Sequence, residues 1–190
     1  DFLQSLVRHL AGAVDARYCF VTKFNPAAAS VRTLAYWAVD RIVDDVEWTL
    51  AGTPCEQVLA GNFCHFATGV SERFPLDAPL VALGIESFLG VPLFDRAGRT
   101  LGHLAVFDER PMPEEPRMLY IFQIFAARAA AELERLESDA ELRESERRYR
   151  DLYDEAPIAY IYEDLESRFV RANAAACRLL GIAPEEIPNT

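Results

Sequence analysis

The chain has 190 residues, 51% of them apolar and 26% charged, with a net charge of −11; this is the balance of a globular protein able to bury a core. No basic stripe accompanies the acidic excess, which argues against direct binding to nucleic acid or an anionic membrane. No apolar run approaches the roughly 18 residues of a spanning helix and no secretion signal is visible, so no membrane contact is expected from this segment.

Residues 2–14 place Phe2, Leu3, Leu6, Val7, Leu10, Ala13 and Val14 on one helical face. RYCFVTKF (17–24) and VRTLAYWAV (31–39) are rich in aromatic and β-branched residues, and NPAAAS between them is a turn, so the pair predicts a hairpin. DRIVDDVEW (40–48) reads as a mixed, partly helical connection.

The stretch 53–61 carries helix punctuation. Thr53 is an N-cap, Pro54 takes the first helical position, Glu56 completes a capping box and Gly61 is the stop. NFCHFA follows as a short strand, and SERFPLD as a loop. Asp77 caps a short helix, APLVAL, that ends at Gly84. ESFLGVPLF and LGHLAVF flank DRAGRT, a strong hairpin signal.

From Pro113 the pattern is helical for nearly forty residues. Leu119, Phe122, Ala126, Ala129, Leu133, Leu136 and Ala140 keep 3–4 spacing; Leu142, Ser145, Tyr149 and Leu152 continue in a shifted frame. This predicts a coiled coil with a heptad break near 140–142. Glu144–Arg148 and Glu146–Arg150 are spaced to pair on the helix surface. The alternative is a lone charged helix. Ala156-Pro157 ends it; IAYIY and RFVRAN form a second hairpin candidate, and NAAACRLLG a helix stopped by Gly181.

Two long segments resemble known families. GTPCEQVLAGNFCHFATGVSERFPLD and LGIESFLGVPLFDRAGRTLGHLAVFDERPM look like the second half of a GAF domain, as in bacterial sensor kinases and regulators similar to the formate hydrogenlyase activator. LRESERRYRDLYDEAPIAYIYEDLESRFVRANAAACRLLGIAPEEI resembles the leading helix and first third of a PAS domain, carried by its AP, Asn173 and LLG. It departs from that pattern at DLES, which lacks the common turn glycine.

The resemblance implies an α+β fold. Its GAF part is a six-stranded antiparallel sheet, with the terminal helices on one face and a small-molecule pocket under loops and short helices on the other. A long C-terminal coiled-coil helix and a partial PAS fold follow. The implied organisation is a GAF sensory domain over 1–130, a signalling helix over 131–152 and the start of a PAS domain over 153–190. The absence of an initiator Met fits a piece of a longer protein, whose output would be a histidine kinase, a cyclase or a σ54-type activator. Such modules dimerise in parallel through their terminal helices. The expected contacts on the signalling helix are Leu133, Leu136, Ala140, Leu142 and Tyr149.

Several residues are candidates for chemistry. Cys55 at the second helical position feels the positive end of the helix, which could depress its pKa. It also shares a face with Val58 and Leu59, which reads as packing. Cys64 and His65 are neighbours on a strand, so they point to opposite sides and cannot grip one metal together. His103 shares a strand face with Leu101, Ala105 and Phe107, and is either a pocket contact or a satisfied core histidine. Trp37, Trp48, Phe66, Phe74 and Phe88 could form an aromatic wall or simple core.

Four cysteines, at 19, 55, 64 and 177, show no CxxC and no disulfide framework, which fits a reducing, cytoplasmic setting. No phosphate-cradling glycine loop, no Ser-His-Asp arrangement and no kinase phosphoacceptor histidine is present; His9 is followed by Leu10 and Ala11. The residues that mark bilin-binding and cyclic-nucleotide GAF domains are absent, which argues against both as the ligand and leaves its identity open. The expected role is a sensory module that binds a small ligand and transmits through the helix. The alternatives are a ligand-free dimerisation platform and a cysteine-dependent redox enzyme such as a sulfoxide reductase, which would need an accessible Cys pair.

Overall fold

Two apolar faces on one sheet organise the chain. The structure, a computed structural model, describes residues 1–166 and 169–183. Its elements separate into two compact units, Asp1–Leu136 and Glu137–Thr190.

In the first unit α1(Phe2–Ala13) leads into β1(Tyr18–Asn25), β2(Ser30–Ala38), β3(Arg41–Ile42) and β4(Glu47–Thr49). Then come α2(Pro54–Leu59), β5(Cys64–Phe66), α3(Val70–Arg73), α4(Ala78–Ala82), β6(Ser87–Phe94) and β7(Thr100–Asp108), and finally α5(Pro116–Asp154), which runs on into the second unit. The strands follow the order β3-β2-β1-β7-β6-β5, with β4 also pairing β2. All pairings are antiparallel. The path holds the six strands expected of a GAF sheet, and β4 makes a seventh. The connection 40–48 is therefore not helical: after the tight turn at Val39 (φ 62°) it supplies β3 and β4, which pair with opposite ends of β2.

Alternation sends Cys19, Val21, Ala35, Leu89, Val91, Leu93, Leu104 and Val106 to one face. There they meet Leu3, Leu6, Val7 and Leu10 of α1 and Met118, Phe122, Ala129 and Leu133 of α5. Fully burying a side chain such as Phe122 contributes about 1.5–3 kcal/mol. An exposed helical ion pair contributes only about 0.3–0.5 kcal/mol, so packing and not surface charge holds α5 to the sheet. Leu133, at 2% exposure, belongs to this core and not to a free dimer seam. Phe2, expected on the buried face, is half exposed.

The opposite face carries Tyr18, Phe20, Phe88, Ala105 and Phe107, covered by Cys55, Val58 and Leu59 of α2, Val70 of α3 and Leu80 of α4. The first three residues of SERFPLD, expected as a loop, belong to the single-turn α3. Two backbone details differ from their expected form. Thr53 does cap α2, but its hydroxyl donates to the Leu50 carbonyl (2.8 Å) while Glu56 accepts from Gly52 N–H (3.2 Å), one residue beyond the capping-box partner. Leu101 lies with the helix-side core, not with His103, because the β6–β7 register slips between Leu93 and Phe94 and leaves Leu101 as the extra residue.

In the second unit the α5 segment carries Leu142, Tyr149 and Leu152 exposed. Glu144 and Arg148 pair at 2.8 Å, whereas Glu146 and Arg150 do not meet. β8(Ile161–Glu163) and β9(Phe169–Ala172) form the expected hairpin, followed by α6(Ala174–Leu180), capped by Asn173 and stopped at Gly181 (φ 68°). Among the described residues no helix is long and apolar enough to cross a membrane.

Candidate functional site

The α2–α4 side of the sheet holds a cavity of about 290 Å³. Its base is the sheet: Phe20 of β1, Tyr36 of β2, Phe88 of β6 and Phe107 of β7. One wall is Trp48 and Thr49 of β4 with Thr53, Pro54 and Cys55 at the start of α2; the other is 76–80 and Leu83 around α4. At the rim Val46, Leu76 and Leu83 are exposed by 45%, 81% and 42%, so the cavity opens to solvent.

Local sequence explains why these groups converge. Phe20 sits at the centre: Tyr36 and Trp48 meet it edge-on at 6.0 and 5.5 Å, and Phe107 is tilted against it at 5.6 Å. β4 brings Trp48 over the sheet by pairing Val31 with Trp48. Asp77 reaches the cavity because it caps α4, its Oδ1 accepting from Leu80 N–H at 3.2 Å. Burial raises the Asp77 carboxyl above its ordinary value, and the Leu80 N–H opposes that rise. Burial together with the nearby Tyr18 pushes the Tyr36 hydroxyl up to about 12.

The expected site residues divide. Trp48, Cys55 and Phe88 line the cavity. Phe66 and Phe74 are on the same side of the sheet but pack on each other, rings 5.3 Å apart, away from it. Cys64 is buried on that side without lining it. His65 points elsewhere, its Nε2–H donating to the Met112 carbonyl at 2.8 Å. Trp37 packs on the helix-side core, so it is on the wrong face to reach the cavity. His103 is fully buried behind Phe20, ring centroids 5.2 Å apart, with Nδ1 2.6 Å from Thr22 Oγ1. Its pKa falls to about 3 through burial.

Phe20, Tyr36, Asp77 and Phe107 were not among the expected contacts. The signal lay in the dipeptide Tyr36-Trp37: if one faces α1, the other faces the cavity, and a single sequence does not say which.

The thiol chemistry is unpromising. All four cysteines are free and buried. Burial pushes Cys55 far up, the Asp77 charge adds to it, and hydrogen bonding from Thr53 and Trp48 does not offset it. Burial also raises Cys64. The helix dipole at Cys55 loses to desolvation. Among the described residues no three His, Cys, Asp or Glu side chains converge to hold a metal ion.

Comparison with known proteins places this geometry. The GAF domain family model matches residues 1–133, and a PAS domain model matches 147–190. No curated protein matches the chain. The chain is similar in structure to the GAF domain of an Acinetobacter phosphoenolpyruvate-protein phosphotransferase (TM-score 0.59, 16% identity, 73% of this chain and 84% of that one). It is also similar to a domain assigned to a two-component sensor histidine kinase protein of Sinorhizobium meliloti 1021 (TM-score 0.52, 14% identity, 73% and 93%). A third similar structure is free methionine-R-sulfoxide reductase of Neisseria meningitidis in complex with its substrate (TM-score 0.56, 16% identity, 70% and 75%). At these identities the likeness is one of fold. With the family model covering well over half of its residues, and with helices on one face of the sheet and a roofed cavity on the other, the chain belongs to the GAF domain family.

Proposed function

We propose that this chain is the sensory segment of a signal-transduction protein, in which the cavity over Phe20 takes a small ligand and α5 carries the change toward the PAS unit and an output domain such as a histidine kinase. The observation that supports this most is the cavity itself: about 290 Å³ is left unfilled by side chains and open at its rim, where a pure dimerisation platform would need no such space. Its aromatic lining stores binding energy for an apolar body, and occupancy would favour one packing of α2 and α4 over another. Parallel dimerisation through α5 is part of this reading, supported by exposed Leu136, Leu142, Tyr149 and Leu152. The redox-enzyme reading is disfavoured by the buried, high-pKa thiols.

Native mass spectrometry of the purified chain tests the reading. The expected result is a small-molecule adduct that is lost in Ala78→Trp, which fills the cavity mouth. A bare mass for the unaltered protein, together with no thermal shift from any of a library of small metabolites, would leave the platform reading in its place.

A further inference from the structure

The charges around the cavity are lopsided. Among the described residues no Lys, Arg or His lines it, and Asp77 is the one carboxylate that does. Asp77 Oδ1 is engaged by Leu80 N–H, but no described residue hydrogen-bonds Oδ2. Asp77 lines the cavity together with Cys55, whose thiolate its charge disfavours. A half-buried carboxylate with a free oxygen lacks a counter-charge. Beside it stand π surfaces in perpendicular settings: Phe20 and Tyr36 are 89° apart, Phe20 and Trp48 77°. Aromatic faces attract cations and carboxylates pair with them, whereas an anion entering here would meet Asp77 with no cation to compensate.

We propose that the cavity selects a small organic cation, a protonated amine carried on an apolar or aromatic body, with the ammonium group on Asp77 and the body against Phe20 and Trp48. This rests on the sensory reading of the cavity and names the ligand class. The volume limits the ligand's size: 290 Å³ is the space of about ten waters at ~30 Å³ each, enough for a single ring with a short side chain.

The test uses three probes of matched shape: phenethylamine, 2-phenylethanol and phenylacetate, each titrated calorimetrically into the full chain at pH 7. Phenethylamine is expected to bind at least tenfold more tightly than the alcohol, and phenylacetate most weakly. Asp77→Asn keeps an oxygen for Leu80 N–H, so the melting temperature is expected to hold; the variant is expected to erase the amine's advantage over the alcohol. Equal affinity for alcohol and amine, or an amine preference that survives Asp77→Asn, overturns the cation assignment while the cavity remains a binding site. If none of the three binds, the cation assignment falls, and the adduct experiment alone then decides the sensory reading.

Discussion

The His103 ring is held neutral between one partner and none: Nδ1 lies 2.6 Å from Thr22 Oγ1, and Nε2 meets no hydrogen-bond partner among the described residues. An imidazolium would carry two N–H donors with a single acceptor available, inside a site with no solvent exposure. Burial lowers the folded pKa from 6.5 to about 3. The unfolded chain takes up a proton below pH 6.5 and the folded one does not, so the neutral ring's contribution is complete above pH 6.5 and is lost as pH falls toward 3. The loss runs at about 1.4 kcal/mol per pH unit. Urea unfolding of the GAF unit at pH 7.0 and 5.5 should therefore show a drop of about 1.4 kcal/mol, and His103→Gln should remove most of that difference. A pH dependence unchanged in His103→Gln would show that the ring is accessible to water.

The same residue, Thr22, sets the limit at Gly102. A Cβ on Gly102 would stand 1.8 Å from the Thr22 carbonyl oxygen, beside the point where β1 slips register between Val21 and Thr22. Neither strand can retreat without breaking its ladder. Gly102→Ala is expected to cost about 3 kcal/mol or more in chemical denaturation. Gly12, near the end of α1, has nothing within 4 Å and ordinary helical backbone. There the same substitution should stabilise by about 0.5–1 kcal/mol. Equal effects at the two positions would show that β7 does not pack closely on β1 at Gly102.

In the second unit Asn173 makes four hydrogen bonds from a fully buried side chain. Its Oδ1 accepts from Tyr160 N–H and Ala176 N–H, and its Nδ2 donates to the carbonyls of Tyr153 and Ile158, all at 2.9–3.0 Å. One side chain thus ties the end of α5, the start of the hairpin and the cap of α6. Asn173→Ala removes the cap and leaves buried groups unpaired, at about 2 kcal/mol or more. Amide exchange at Tyr160 and Ala176 should speed up roughly 30-fold or more. Unchanged exchange there would show that the network does not hold this unit together.

Elements written in local chemistry were readable from the sequence alone. The α4 cap at Asp77, the Gly98 hairpin, the Cys64/His65 split and the stop of α6 at Gly181 all follow from residue type and alternation over a few positions. The misses need information from across the sheet. Trp37 and Tyr36 are equally suited to a cavity, and only the β1–β2 register, with its bulge at Val21/Thr22, sends Tyr36 there. Leu101 was misplaced for the same reason, since an extra residue in β7 is invisible to a period-2 count. The 40–48 connection reads as mixed and partly helical, whereas in the structure it supplies β3 and β4, which fill the edge of β2 that β1 leaves open.

Cys55 separates the sensory reading from a redox one. The thiol is 4% exposed and burial holds it protonated. Alkylation by iodoacetamide at pH 8 is expected to be at least tenfold slower at Cys55 and Cys64 than in the urea-unfolded chain, where the thiolate is solvated. Cys55→Ser should leave the fold intact and any adduct in place. A thiol that reacts faster in the folded state would require an opening of the α2–α4 roof and would revive the enzymatic reading.

The last prediction concerns α5, where two stripes compete. Phe122, Ala129 and Leu133 are buried against the sheet, so the helix spends that stripe within its own unit. Leu136, Ala140, Leu142 and Tyr149 remain exposed and carry the register slip. If copies pair in parallel through this part, identical positions on the two helices approach one another, and single cysteines there can form disulfides without backbone movement. Oxidative cross-linking should then be efficient for Leu136→Cys, Leu142→Cys and Tyr149→Cys and negligible for Leu133→Cys, whose side chain faces the core. The four native cysteines are buried and give little background. A shift in the ratio of Ala140→Cys to Leu142→Cys cross-linking when a bound ligand is stripped by unfolding and refolding would mark the break as the place where two registers exchange. Cross-linking that is uniform along 136–149, or strongest at Leu133→Cys, is incompatible with a parallel pair built on this stripe.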